Sequence, residues 1–131
     1  MNSKLLMTFC AVVLGITGII LLFLPVETML FLNVGVIHPV VFQMLGALYL
    51  GFAMINWTAK ANLIGGIYSR PITIGNFTHF FIGSITLIKF FLNDTGRLQI
   101  IFFLVIYLFF AIAFGYLLFM HPGLKRKEEI D

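Results

Sequence analysis

The 131-residue sequence is 61% hydrophobic and 10% charged, with a mean hydropathy of +1.10. A soluble domain of this length needs polar side chains over most of its surface, and eight Lys/Arg with five Asp/Glu cannot supply them. The net charge of +3 does not indicate nucleic-acid binding, because residues 125–127 carry three of the basic groups and the other five are scattered singly. The composition therefore predicts a chain whose apolar surface faces lipid.

The first apolar run, residues 5–24, is long enough to cross a hydrocarbon core of about 30 Å as an uncleaved helix. Residues 25–38 are too few to span the core and too apolar for a free loop. We predict that they form a short helix on the membrane surface. The side chains that can cap this helix or end it are Glu27, Thr28, Asn33 and Gly35.

Pro39 is a favoured first helical residue and opens the second apolar run. The predicted spans two, three and four are residues 40–57, 72–92 and 98–120. The connection between the last two spans is short enough to make them antiparallel neighbours. The sequence thus predicts an all-α, antiparallel four-helix bundle that is integral to the membrane, forms one domain over the whole chain, and carries a short interfacial segment after the first span.

The basic residues predict the orientation of this bundle. Six lie on one side of the predicted membrane: Lys4, Lys60, Arg70, Lys125, Arg126 and Lys127. Two, Lys89 and Arg97, lie on the other. The positive-inside rule then places both termini and the middle loop, residues 58–71, in the cytoplasm. We expect the membrane to be the inner, cytoplasmic one.

Polar side chains recur at helical spacing on the third span, where each is costly inside a bilayer. Asn76, His79, Gly83 and Thr86 share one helix face by three- and four-residue steps. The same spacing places Gly46, Tyr49, Ala53 and Asn56 on one face of the second span. We hypothesise a cytoplasm-facing cavity between these two spans that binds a ligand. Its residues are Asn56, Trp57, Arg70, Asn76, His79 and Thr86.

The alternative is structural, because Asn, Thr and His inside a bilayer commonly hydrogen-bond neighbouring helices. His79 can pack, bind a ligand or handle protons, but it has no nearby partners for a metal or haem. Arg70 can anchor the helix at lipid headgroups or contact an anion. No hydrolase, zinc-protease or phosphate-loop motif occurs, so we predict no catalytic residues, no metal and no cofactor, and the chain leans away from being an enzyme.

Small residues at four-residue spacing predict close helix packing and self-association. The pairs at this spacing are Ala11/Gly15, Ala47/Gly51 and Ala111/Gly115. The predicted helix-packing residues also include Gly46 and Gly83, from the polar faces of the second and third spans.

The run Leu45-Gly46-Ala47-Leu48-Tyr49-Leu50-Gly51-Phe52-Ala53, the Arg70-Pro71 start of the third span and the short last turn resemble the small four-helix bacterial membrane proteins of the DoxX-like kind. This resemblance implies an association with quinone-linked or redox membrane complexes.

Three functions stay open. The first is an accessory or interaction subunit of a larger inner-membrane complex, with other membrane proteins or a second copy as partner. The second is a binder or carrier of a small amphipathic or lipidic molecule. The third, a quinone-linked redox partner, rests on the resemblance alone.

Overall fold

The computed structural model describes residues 3–61, 70–93 and 98–120, and the regular structure within them is entirely α-helical. The helices are α1 (Ser3–Phe23), α2 (Pro25–Leu32), α3 (Pro39–Ala59), α4 (Arg70–Asn93) and α5 (Leu98–Met120). All but α2 are long and apolar enough to cross a membrane. The predicted fold class is confirmed, and the chain is a multi-pass membrane protein. The predicted connections at 62–69 and 94–97 and the basic residues 125–127 lie outside the described residues.

The start of α2 differs from the prediction. Its N-cap is Leu24, which makes no side-chain capping bond, and Pro25 occupies the first helical turn. Thr28 lies inside the helix, where its hydroxyl donates to the Leu24 carbonyl at 2.7 Å. Glu27 is also inside, in the first turn, where its negative charge interacts favourably with the positive end of the helix dipole. The predicted caps are therefore wrong, because the proline sets the first turn without an acceptor side chain.

Three local features shape the connection from α2 to α3. Asn33 ends α2 in the left-handed region at φ 51° and ψ 45°, as predicted, and Gly35 follows at φ +34°. His38 then caps α3, because its Nδ1 accepts from the Val40 N–H at 3.3 Å. Pro39 is the first residue of α3, which restricts the backbone there to a helical φ.

The four long helices form two pairs, in which α1 packs along α3 and α4 packs along α5. Gly18 of α1 and Gly46 of α3 bring the first pair into backbone contact. A Cβ added to Gly46 would lie 2.8 Å from the Gly18 carbonyl oxygen and 2.9 Å from the Leu22 amide nitrogen. Sequence reasoning included Gly46 but missed Gly18.

Ala47 and Gly51, predicted to pack on this same helix, are exposed on its outer face. None of the residues that the structure describes lies within 4 Å of a Cβ built on Gly51. The physical reason is register, because one step of about 100° separates Ala47 from Gly46 and only Gly46 faces α1.

The remaining predicted packing residues are buried or half-buried: Ala11, Gly15, Gly83, Ala111 and Gly115. A Cβ on Gly15 would make ordinary contact with Ala53 at 3.7 Å. On Gly115 it would press on the Phe77 ring at 3.1 Å, and on Gly83 it would collide with the ring of Tyr107. Small residues thus let an aromatic ring of the neighbouring helix lie against the backbone in the α4/α5 pair.

The two pairs meet in one half of the bundle, which we call the core half. It contains the N-terminal halves of α1 and α4 and the C-terminal halves of α3 and α5. Its largest fully buried side chains include Phe80, Phe110, Phe114 and Met7. The Phe80 and Phe110 rings stack with centroids 4.7 Å apart, and Phe9 of α1 reaches Phe110 at 5.5 Å. The opposite half, which we call the cavity half, carries α2.

Candidate ligand-binding site

A cavity of about 830 Å³ lies in the cavity half between the α1/α3 pair and the α4/α5 pair. All five helices contribute to its wall, and α2 supplies Thr28 and Leu32. Most of the other lining side chains are aliphatic or aromatic, for example Val13, Ile20, Leu45, Phe103 and Ile106. A concave, mostly apolar space of this size is typical of a site for a small organic molecule.

The polar groups of this cavity are concentrated in one cluster, formed by Tyr49, His79 and Tyr107, which we call the Tyr-His cluster. The Tyr49 and Tyr107 hydroxyls hydrogen-bond each other, and the Tyr107 hydroxyl lies 3.3 Å from the Nε2 of His79. The three residues come from α3, α4 and α5, so this chain of bonds links the two helix pairs. Each member can donate and accept, the imidazole according to its tautomer.

Aromatic rings fix the position of the His79 imidazole. It stacks on Phe52 of α3 with centroids 5.3 Å apart and an interplanar angle of 27°. Tyr49 and Phe80 meet it edge-on, at centroid distances of 5.4 and 5.0 Å. The His79 imidazole is therefore packed among aromatic rings of α3 and α4, and it also lines the cavity.

The threonines of the wall add little polarity away from the cluster, because the hydroxyls of three of the four are satisfied within their own helices. The fourth, Thr78, directly precedes His79. Thr17 donates to the Val13 carbonyl at 2.8 Å, and Thr86 donates to the Ile82 carbonyl at 3.0 Å. Thr28 is bonded in the same way. Among residues 3–61, 70–93 and 98–120, those that line this cavity include no aspartate, glutamate, lysine or arginine.

Asn56 and Asn76, two members of the predicted site, lie together in the core half and are fully buried. Each amide donates to the other's carbonyl oxygen, at 2.9 Å from Asn56 and 2.8 Å from Asn76. Asn56 also donates to the Phe52 carbonyl at 2.9 Å. The convergence of α3 and α4 at these residues was foreseen, but their side chains close on each other and do not line the cavity.

Trp57 and Arg70 do not join this arrangement. Trp57 is 48% exposed, and the Lys60 ammonium lies 2.9 Å from its ring centroid in a cation–π contact. Arg70 is exposed at the first residue of α4. Neither lines the cavity, because each lies at an end of its helix, away from the cavity half.

The structure therefore divides the six predicted site residues. His79 and Thr86 line the cavity, whereas Asn56, Asn76, Trp57 and Arg70 do not. Tyr107 was missed, and Tyr49 was placed on the right face of its helix but not in the site. The sequence signal available was a tyrosine inside the second span and another inside the fourth, since a buried tyrosine hydroxyl usually finds a hydrogen-bond partner.

Within residues 3–61, 70–93 and 98–120, no three His, Cys, Asp or Glu side chains group as a metal site would require. Every buried side-chain nitrogen or oxygen in this part of the chain has a hydrogen-bond partner. The chemistry that the Tyr-His cluster offers is hydrogen bonding to a neutral polar group.

Comparison of the sequence with protein-family models, with curated proteins and with solved structures gives no match. The resemblance to DoxX-like proteins stays a prediction, and the function has to be argued from the site itself.

Proposed function

We propose that the protein binds or carries a small lipidic molecule in the cavity between its two helix pairs. The observation that supports this function is an apolar cavity of about 830 Å³ that has its hydrogen-bonding side chains gathered at one place. This combination of apolar walls with a few convergent polar groups is the usual composition of a small-molecule site.

The polar cluster strengthens this interpretation because of where it lies. Tyr49, His79 and Tyr107 are near the middle of their helices, at the depth where polar side chains are most costly in a bilayer. If these positions served only for packing, apolar rings such as those that fill the core half would be sufficient. A function for the cluster at the cavity wall explains why it is polar.

The proposed site differs in position from the cytoplasm-facing cavity expected from the sequence. With both termini in the cytoplasm, as the basic residues predict, the cavity half would lie in the outer leaflet of the inner membrane. The ligand would then reach the cavity from that leaflet, between the helix pairs.

Filling the cavity tests this function. Ile106 lines it from α5, whereas Ile112 of the same helix is 72% exposed on the outer face. We expect Ile106→Trp to abolish the binding of lipidic molecules that copurify with the parent protein, and Ile112→Trp to leave it intact. Native mass spectrometry of protein released from nanodiscs would measure both. Equal retention of bound molecules by the two variants, or none with the parent, would contradict the proposal.

The accessory-subunit function is our second candidate, favoured by one observation. Ala47 and Gly51 are exposed on α3, where small side chains leave room for a helix of another membrane protein or of a second copy. We expect Gly51→Leu to release a stoichiometric partner in pull-downs from gently solubilised membranes while ligand binding persists. Recovery of the same partners with the variant would remove this candidate. The quinone-linked function gains no support from a particular residue and stays a prediction.

A further inference from the structure

Resting on the proposed function, we infer that the ligand is a neutral long-chain molecule with one hydrogen-bonding oxygen at its end, such as a long-chain alcohol, and that this oxygen binds the Tyr-His cluster. The inference follows from the depth of the cluster, from the charge of the lining and from the hydrogen bonds that three of the four lining threonines make within their own helices.

Charge excludes the ionic amphiphiles. Among the described residues the lining contains no acidic side chain and no lysine or arginine, so a quaternary ammonium would have no opposite charge at the depth of the cluster. A carboxylate or phosphate would find one only if the His79 imidazole, packed among aromatic rings, took on a buried charge as well. An unpaired charge is far more expensive than a neutral hydroxyl in such surroundings. The end of the ligand that meets the cluster is therefore uncharged.

Hydrogen bonding favours an oxygen over a bare hydrocarbon end. The Tyr107 hydroxyl is bonded to both Tyr49 and His79. The cluster can still donate a hydrogen bond to a further group, or accept one from it, without breaking these internal bonds. A hydroxyl suits it best because it can donate to one member and accept from another. An alkane, or the methyl end of a phospholipid chain, would leave this capacity unused.

The rest of the wall indicates that the ligand has only one polar end. The hydroxyls of Thr17, Thr28 and Thr86 donate to carbonyls of their own helices, and most of the lining near them is aliphatic or aromatic. The fourth lining threonine, Thr78, directly precedes His79 and so lies at the depth of the cluster. A second polar group on the ligand, away from the cluster, would face the first three threonines and the apolar lining near them, and would lose its water without gaining a donor. A hydrocarbon chain matches this surface.

The test is a competition series against a fluorescent long-chain alcohol in nanodiscs. The competitors are an alkane and the alcohol, carboxylate and trimethylammonium of the same chain length. We expect the alcohol to compete about tenfold better than the alkane, as one added hydrogen bond allows, and the two ions to compete more weakly than the alcohol.

Two variants assign this preference to the cluster. Tyr107→Phe keeps the ring that lies against Gly83 and removes only the hydroxyl, so the alcohol should lose its advantage over the alkane. Tyr116→Phe removes a hydroxyl from the exposed face of α5 and should preserve the advantage. If Tyr107→Phe fails to fold, Tyr49→Phe removes the neighbouring hydroxyl and carries the same expectation.

The outcomes separate the inference from the proposed function. Equal competition by alkane and alcohol, or tightest binding of either ion, would overturn the neutral-oxygen inference while a lipidic ligand remained. No binding of any probe, or a cavity closed by a second copy of the chain at all concentrations, would overturn both.

Discussion

The core half and the cavity half of this bundle are built from the same four long helices, yet only one of them is closed between the helix pairs. In the core half, the Asn56 and Asn76 amides bond reciprocally and Phe80 stacks on Phe110. In the cavity half, a cavity of about 830 Å³ lies between the pairs. Lipid is as apolar as a leucine side chain, so burial alone does not hold membrane helices together. Closure requires complementary shapes or hydrogen bonds. The core half has both, whereas at the cavity the described hydrogen bonds between the pairs are those of the Tyr-His cluster at its wall.

The cavity lies between the two helix pairs and not between the two helices of one pair. Gly18 and Gly46 lie at the level of the cavity, and there α1 and α3 still touch backbone to backbone. The cavity is thus a property of how the two pairs meet, while each pair stays a tight unit throughout its length.

The largest effect should come from separating α1 and α3. Gly46→Val places a branched side chain where a Cβ already lies 2.8 Å from backbone, and overpacking of this kind costs about 3 kcal/mol of unfolding free energy. Gly51→Val is the matched control, because no described part of the chain lies within 4 Å of a Cβ built at this position. Thermal unfolding in a mild detergent would measure both. Equal losses for the two variants would show that the pair is not held by this backbone contact.

Truncating one phenylalanine in each half tests the difference between them directly. Phe110 is fully buried among aromatic rings of α1, α4 and α5, so Phe110→Ala should lower the unfolding free energy by about 2 kcal/mol. Phe103 of the same helix already faces the cavity, and Phe103→Ala should cost about half as much or less, since fewer contacts are lost. Steric-trap or denaturant unfolding in bicelles would compare them. A larger loss at Phe103 would mean that the cavity half is the more tightly packed one.

The Asn56–Asn76 pair should show coupling. Asn56→Leu leaves the buried Asn76 amide without its partner and should cost about 1 kcal/mol. Asn76→Leu should cost less, because Asn56 keeps its bond to the Phe52 carbonyl. The double variant should be destabilised by less than the sum of the single losses, and a double-mutant cycle measures the difference. Strict additivity would show that the two amides act independently.

Much of this fold could be predicted from the sequence because the bilayer simplifies the problem. Apolar run length determines where a helix can span, and prolines and glycines mark the ends, so the predicted start and end of α5 match the structure at 98 and 120. The meeting of Asn56 with Asn76 also followed from helical spacing and the antiparallel order. Two features could not be predicted: the rotation of each helix about its own axis and the distance between the two helix pairs. A step of about 100° decides whether Gly46 or Ala47 faces α1, and apolar spans give almost no hydrophobic pattern to set that step.

The site was only partly predictable for the same reason. Helical spacing placed His79 on an inward face, but the half in which the pairs separate depends on how the Phe80, Phe110 and Phe114 rings stack in three dimensions. No spacing rule within one helix reports that stacking. Tyr107 was therefore overlooked, although a tyrosine hydroxyl in the middle of an apolar span already needs a partner.

The smallest expected effect concerns the end of the cavity half, where His38 caps α3. His38→Ala removes the acceptor of the Val40 N–H and should lower the unfolding free energy by about 0.5 kcal/mol, whereas His38→Asn should retain stability because asparagine is a good N-cap. Thermal unfolding of the three proteins in parallel would measure the difference. The effect stays small because His38 lies outside the contacts that join the helix pairs, so losing it frays one turn and leaves the core half intact. A loss at His38 as large as that at Phe110 would show instead that the connection between α2 and α3 is needed to hold the whole bundle together.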